Sequence, residues 1–93
     1  METEIFSAAQ INDHSQDRSV AEGEQVIDYH VFTDGKDFYT DNFPDAKAQF
    51  MAWHAEGETS IRLWEFVYEN KEAQENDSIM HEDVLMSFGP YPS

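Results

Sequence analysis

The 93-residue sequence contains no cysteine, which removes disulfide frameworks and thiol chemistry from consideration. Glycine and proline are scarce, at four and three residues, and the glycines form neither a G-x-x-x-x-G-K-[ST] nor a G-x-G-x-x-G phosphate cradle. No apolar run approaches the roughly 18 residues that a membrane-spanning helix requires. Met1 leads into Glu2 and Glu4 with neither a basic segment nor an apolar one behind it, so the reading is of a chain without a secretory signal. Asn76-Asp77-Ser78 fits the glycosylation tripeptide, and on that reading the match is fortuitous. The expected location is the cytoplasm.

Basic residues are the other shortage. Five Lys and Arg stand against twenty Asp and Glu, for a formal net charge of −15 and a pI near 4.2. Charge of this size opposes compaction and repels bare nucleic acid and anionic membranes. Disorder is not implied, because disordered chains are poor in aromatics and this one has seven Phe, four Tyr and two Trp. Its length suits one folding unit with a small core.

Periodicity places that unit at 25–93, preceded by a flexible arm or short helix over 1–24. Ile5, Ala8, Ala9 and Asn12 share a side at helical spacing, and Asn12 to Glu24 is polar and aperiodic, expected as a loop or mobile arm. Gln25 to Phe32 reads as a strand with Ile27, Tyr29 and Val31 on one face and Val26, Asp28, His30 and Phe32 on the other. An Asp34-Gly35 turn then returns the chain through Asp37 to Thr40 as a hairpin. Pro44 and Asp45 suit a helix start, Phe43, Ala46, Phe50 and Trp53 form one stripe, and Gly57 is a left-handed cap.

Ser60 to Tyr68, SIRLWEFVY, is the densest β-branched and aromatic stretch and is expected at the centre of the sheet. Ile61, Leu63 and Val67 alternate with Arg62, Trp64, Phe66 and Tyr68. Asn70 to Asp77 is a charged connection with room for one helical turn. His81 to Phe88 is the last strand, with Val84, Met86 and Phe88 on one side and Leu85 on the other. The fold class is therefore α+β: a small antiparallel sheet in the order β-β-α-β-β with one helix on one face, plus the short N-terminal helix.

Catalytic and metal chemistry find no foothold in this pattern. His14, His30, His54 and His81 show no H-x-x-x-H pairing, so no zinc site is expected. The run DGKDFYTDNFPD lacks the glycine and the closing glutamate of a calcium-binding EF-hand loop. No nucleophile-elbow glycines flank a serine. Paired carboxylates are too abundant to single out an acid and a base. No catalytic residue, metal or cofactor is assigned, and the expectation is of a non-enzyme.

The acids are then read as a surface. Glu65, Glu69, Glu72, Glu75, Asp77, Glu82 and Asp83 fall on or around the last two strands, with Trp64 and Tyr68 as aromatic anchors beside them. Duplex DNA carries about one charge per 1.7 Å of axis, and a strand advances about 3.3 Å per residue. A hairpin with acids on both strands therefore approaches phosphate spacing. In size, charge and lack of cysteine the chain resembles the small acidic inhibitors of phages and mobile elements that mimic DNA. That resemblance implies occupation of a positively charged nucleic-acid-binding site on a nuclease or a CRISPR or restriction complex. The alternative is a non-enzymatic accessory domain that meets its partner through an apolar patch or a sheet edge, its charge serving solubility.

Overall fold

The computed structural model describes residues 10–92. Along these residues run strand β1 (Asn12–Asp13), a 3-10 turn (Ser15–Asp17), β2 (Val26–Thr33), β3 (Lys36–Thr40), helix α1 (Phe43–Glu56), β4 (Ile61–Tyr68), helix α2 (Lys71–Glu75) and β5 (His81–Phe88). The strands form one sheet, all pairs antiparallel, in the order β1-β5-β4-β2-β3. The aromatic stretch that ends at Tyr68 is thus central in fact, flanked by β2 and β5. The turn or helix expected around Ile5 to Ala9 lies outside the described residues.

Local chemistry accounts for the main elements. The hairpin closes where Thr33 pairs with Lys36, and Gly35 supplies the left-handed residue of its two-residue turn (φ 87°). Asn42 caps α1, its Oδ1 accepting the N–H of Asp45 at 3.0 Å. Gly57 ends the helix in the left-handed region (φ 99°), and its N–H reaches the carbonyls of His54 and Trp53. Between those caps Ala46, Phe50 and Trp53 are buried and Phe43 packs beside them, as the stripe predicts.

That stripe lies on the face of the sheet formed by Tyr29, Val31, Ile61, Leu63, Leu85 and Met86. Here one expectation fails. Leu63 pairs with Met86 and Trp64 with Val84, so Leu85 is an extra residue in β5. A bulge of this kind breaks the two-residue alternation. Leu85 and Met86 are consequently both buried in the core, at 0 % and 1 % exposure, while Val84 sits opposite Trp64 on the other face.

A second departure concerns Asn12 to Glu24. β1 adds a fifth strand by pairing Asn12 with Ser87 and Asp13 with Met86. His14 donates its N–H to the Leu85 carbonyl at 2.7 Å, and Ser15 is buried. The Arg18 guanidinium lies 4.6 Å from the centroid of the Phe43 ring. Through Ser19 this segment is docked on the domain. Its polar sequence hides the docking because the contacts run mainly through backbone groups.

Candidate functional site

Strand register assembles the acids that lie apart in the sequence. Val26 pairs with Tyr68 and Val67 with His81, so the start of β2, the end of β4 and the start of β5 share one end of the sheet. α2 follows directly from β4 there. Its N-terminus is capped by Asn70, whose Oδ1 accepts the Ala73 N–H at 2.8 Å. Asp77, left-handed at φ 56°, turns the chain back toward β5, and Met80 donates its N–H to the Val67 carbonyl at 2.9 Å.

Glu69, Glu72, Glu75, Asp77, Glu82 and Asp83 are all exposed at this end, joined by Glu22 and Glu24 from the approach to β2. Lys71 stands among them. Among the described residues, none of the eight carboxylates enters an ion pair. The other cations are engaged elsewhere. Lys36 reaches Glu58 at 2.8 Å and Glu56 at 3.9 Å, at the far end of the sheet, and Lys47 reaches Asp13 at 3.4 Å. Hydrogen bonding to Lys36 and Thr33 holds the Glu58 carboxyl below its usual range. Exposed Val20, Ile79 and Met80 lie within the acidic end and offer apolar contact area.

Two of the expected surface residues are placed differently. Glu65 is 1 % exposed, because its position in β4 puts it on the same face as Leu63 and Val67, beneath the docked N-terminal segment. Its Oε2 accepts the Ser19 N–H at 3.0 Å and the Tyr29 hydroxyl at 3.4 Å. Burial, with the Glu65 charge adding to it, pushes the Tyr29 hydroxyl up to about 12. Glu65 is a core pin and is removed from the charged surface. Tyr68, 7 % exposed, is likewise no open anchor. α2 folds across its end of the sheet, where Gln74 Nε2 donates to Asp28 at 2.6 Å. Burial raises the Tyr68 hydroxyl, and the nearby Asp28 and Asp77 raise it further.

Trp64, the remaining anchor, is half-buried on the face that α1 leaves open. Pairing places it beside His30, with Phe66 next along its own strand at a ring distance of 6.1 Å and an interplanar angle of 10°. Tyr39 stacks on His30 at 4.1 Å and 9°, and Phe32 meets Tyr91 edge-on at 5.9 Å. Asp37 Oδ1 lies 2.7 Å from His30 Nε2 and orients that ring.

Tyr91 returns to this face because Arg62 donates to the Phe88 and Gly89 carbonyls at 3.2 and 3.1 Å and lies 5.3 Å from the centroid of the Tyr91 ring. A shallow cleft of about 250 Å³ results, lined by His30, Phe32, Trp64, Phe66, Glu82 and Tyr91. Trp64 Nε1 is the buried side-chain donor without a hydrogen-bond partner among the described residues. Sequence reasoning assigned His30 and Phe32 to one strand face but missed this wall. Strand pairing and the return of Tyr91 create it, and only the alternation of aromatics at even positions hinted at it.

Among the described residues no group of three or more His, Asp or Glu is arranged to hold a metal ion. No described helix is long and apolar enough to cross a membrane. The class defined by this geometry is a small α+β domain with a helix on one sheet face, aromatics on the other and carboxylates massed at one end. The chain matches no protein-family model, no curated protein and no solved structure.

Proposed function

We propose that this is a non-enzymatic, cytoplasmic binding domain that occupies a positively charged nucleic-acid-binding site on another protein, such as a nuclease or a CRISPR or restriction complex. The observation that carries this reading is the local excess of carboxylates at one end of the sheet. Among the described residues eight exposed carboxylates share one end of the sheet without ion pairs, while Lys36 pairs with Glu56 and Glu58 and Lys47 with Asp13 elsewhere. The Debye length at physiological salt is about 8 Å, so neighbouring carboxylates act on a partner as one patch and speed its approach. The resemblance in composition to DNA-mimicking inhibitors supports the same reading.

The test is capture of partners from a bacterial lysate at low and high salt, with competing duplex DNA in a parallel sample. The reading requires a DNA-binding protein displaced by both salt and DNA, and lost when Glu69, Glu72, Glu75 and Glu82 are changed together to lysine. A partner retained through salt, DNA and charge reversal refutes it. The open aromatic face favours a second reading, an accessory domain with an apolar interface, for which affinity is nearly independent of salt.

A further inference from the structure

We propose that the cleft on the open sheet face is a receptor for an arginine side chain of the basic partner, an assignment that rests on the reading above and names its anchoring contact. At about 250 Å³ the cleft is smaller than the roughly 300–1,000 Å³ of small-molecule sites, which suits a single side chain. Its walls are aromatic: Phe32, Trp64, Phe66 and Tyr91. A cation over such rings is attracted by their negative faces.

Three features select a guanidinium. The Trp64 and Phe66 rings are parallel to within 10° with centroids 6.1 Å apart, so a planar group aligned with one is aligned with both, a match that a tetrahedral ammonium does not make. Glu82 is the one carboxylate in the lining, an acceptor for the paired N–H groups of an arginine fork. The same face already holds a guanidinium on one of these rings, that of Arg62 over Tyr91. Arg62 itself is bound to backbone carbonyls and does not line the cleft, and the lining contains neither Lys nor Arg, His30 being held by Asp37 at 2.7 Å.

Glu82 also belongs to the acidic end. The cleft is therefore continuous with the patch that attracts the partner, and one basic segment can span both. In this arrangement the patch supplies long-range attraction and the cleft supplies the preference for arginine over lysine. An uncharged apolar side chain would fill the walls but make no use of the Glu82 carboxylate.

The experiment is titration of the full chain with hexa-arginine and hexa-lysine peptides, which carry equal charge, at low salt. The Trp64 indole N–H resonance is followed by NMR, with Trp53 as the internal reference. Hexa-arginine is expected to shift Trp64 and to bind about tenfold more tightly than hexa-lysine. Tyr91→Ala and Phe66→Leu are expected to abolish that preference while leaving hexa-lysine binding unchanged. Tyr91 is 60 % exposed, so its truncation leaves the fold intact and keeps the test decisive should Phe66→Leu unfold.

Equal affinity for the two peptides overturns the proposal. So do shifts confined to residues 69–83 with Trp64 unmoved, although the acidic-surface reading then survives. A neutral leucine-bearing peptide that shifts Trp64 equally also overturns it, by making the cleft an apolar dock. If neither peptide binds at low salt, the reading beneath the proposal falls with it.

Discussion

Replacing Glu65 by leucine is expected to destabilise the domain by about 3 kcal/mol. The side chain is 1 % exposed and accepts two hydrogen bonds, from the Ser19 N–H at 3.0 Å and the Tyr29 hydroxyl at 3.4 Å. Hydrogen bonds to a charged group contribute about 1.5–3 kcal/mol, and a buried donor left unpaired costs about 1–3 kcal/mol. Ser19 is half-exposed and recovers water, whereas Tyr29, 4 % exposed, does not. The longer Tyr29 bond belongs at the weak end of the range, so the combined loss stays near 3 kcal/mol rather than twice that. For a domain of this size each kcal/mol lowers Tm by roughly 4–8 °C, so the expected drop is about 12–24 °C.

Glutamine tests the cause. It keeps an amide oxygen for both donors and discards a buried charge whose desolvation opposes folding, so Glu65→Gln is expected within about 1 kcal/mol of the parent. Urea denaturation followed by circular dichroism measures both variants, and hydrogen exchange at the Ser19 amide reports whether the N-terminal segment remains docked. A leucine variant as stable as the parent refutes the pin. A glutamine variant as damaged as the leucine variant refutes the hydrogen-bond argument and makes the charge itself the requirement.

The remaining expectations follow from other sites. Because the Tyr29 hydroxyl is held at about 12 in the folded chain against 10.0 for the unperturbed group, the unfolded state ionises first as pH rises. Stability is then fully present below pH 10 and falls by about 2 kcal/mol as pH approaches 12, a loss that Tyr29→Phe removes in urea titrations across that range. Gly89→Ala is expected to cost more than about 2 kcal/mol. The position has φ +73°, and a Cβ there runs into the Thr59 carbonyl oxygen of the backbone. Thermal unfolding at the parent's Tm would contradict this. The four-fold lysine reversal at Glu69, Glu72, Glu75 and Glu82 is expected to leave Tm unchanged or raised, since like charges are dispersed, while partner capture is lost.

Alternation and capping carried much of the fold without tertiary information. The Asp34-Gly35 hairpin, the α1 stripe from Phe43 to Trp53 and the Gly57 cap depend on local backbone preference, and each is found where the spacing puts it. The strands drift by one residue at most, Val26–Thr33 against Gln25–Phe32, because strand ends depend on partners. Leu85 was misplaced because a bulge is a property of two paired strands. The Asn12–Asp13 strand escaped notice because two polar residues carry no period and are held by backbone hydrogen bonds.

The candidate surface divides in the same way. Composition determined that the chain is strongly acidic, and residue order that Glu69, Glu72, Glu75, Asp77, Glu82 and Asp83 lie within one short stretch around its last two strands. Tertiary structure decided the rest. Glu65 went to the core because strand parity and the docked N-terminal segment outweigh the preference of a carboxylate for water once two donors converge on it. Tyr68 was covered because α2 folds over the sheet end. The aromatic cleft exists only because pairing sets His30 beside Trp64 and Arg62 holds the chain where Tyr91 can close the wall against Phe32, 59 positions away.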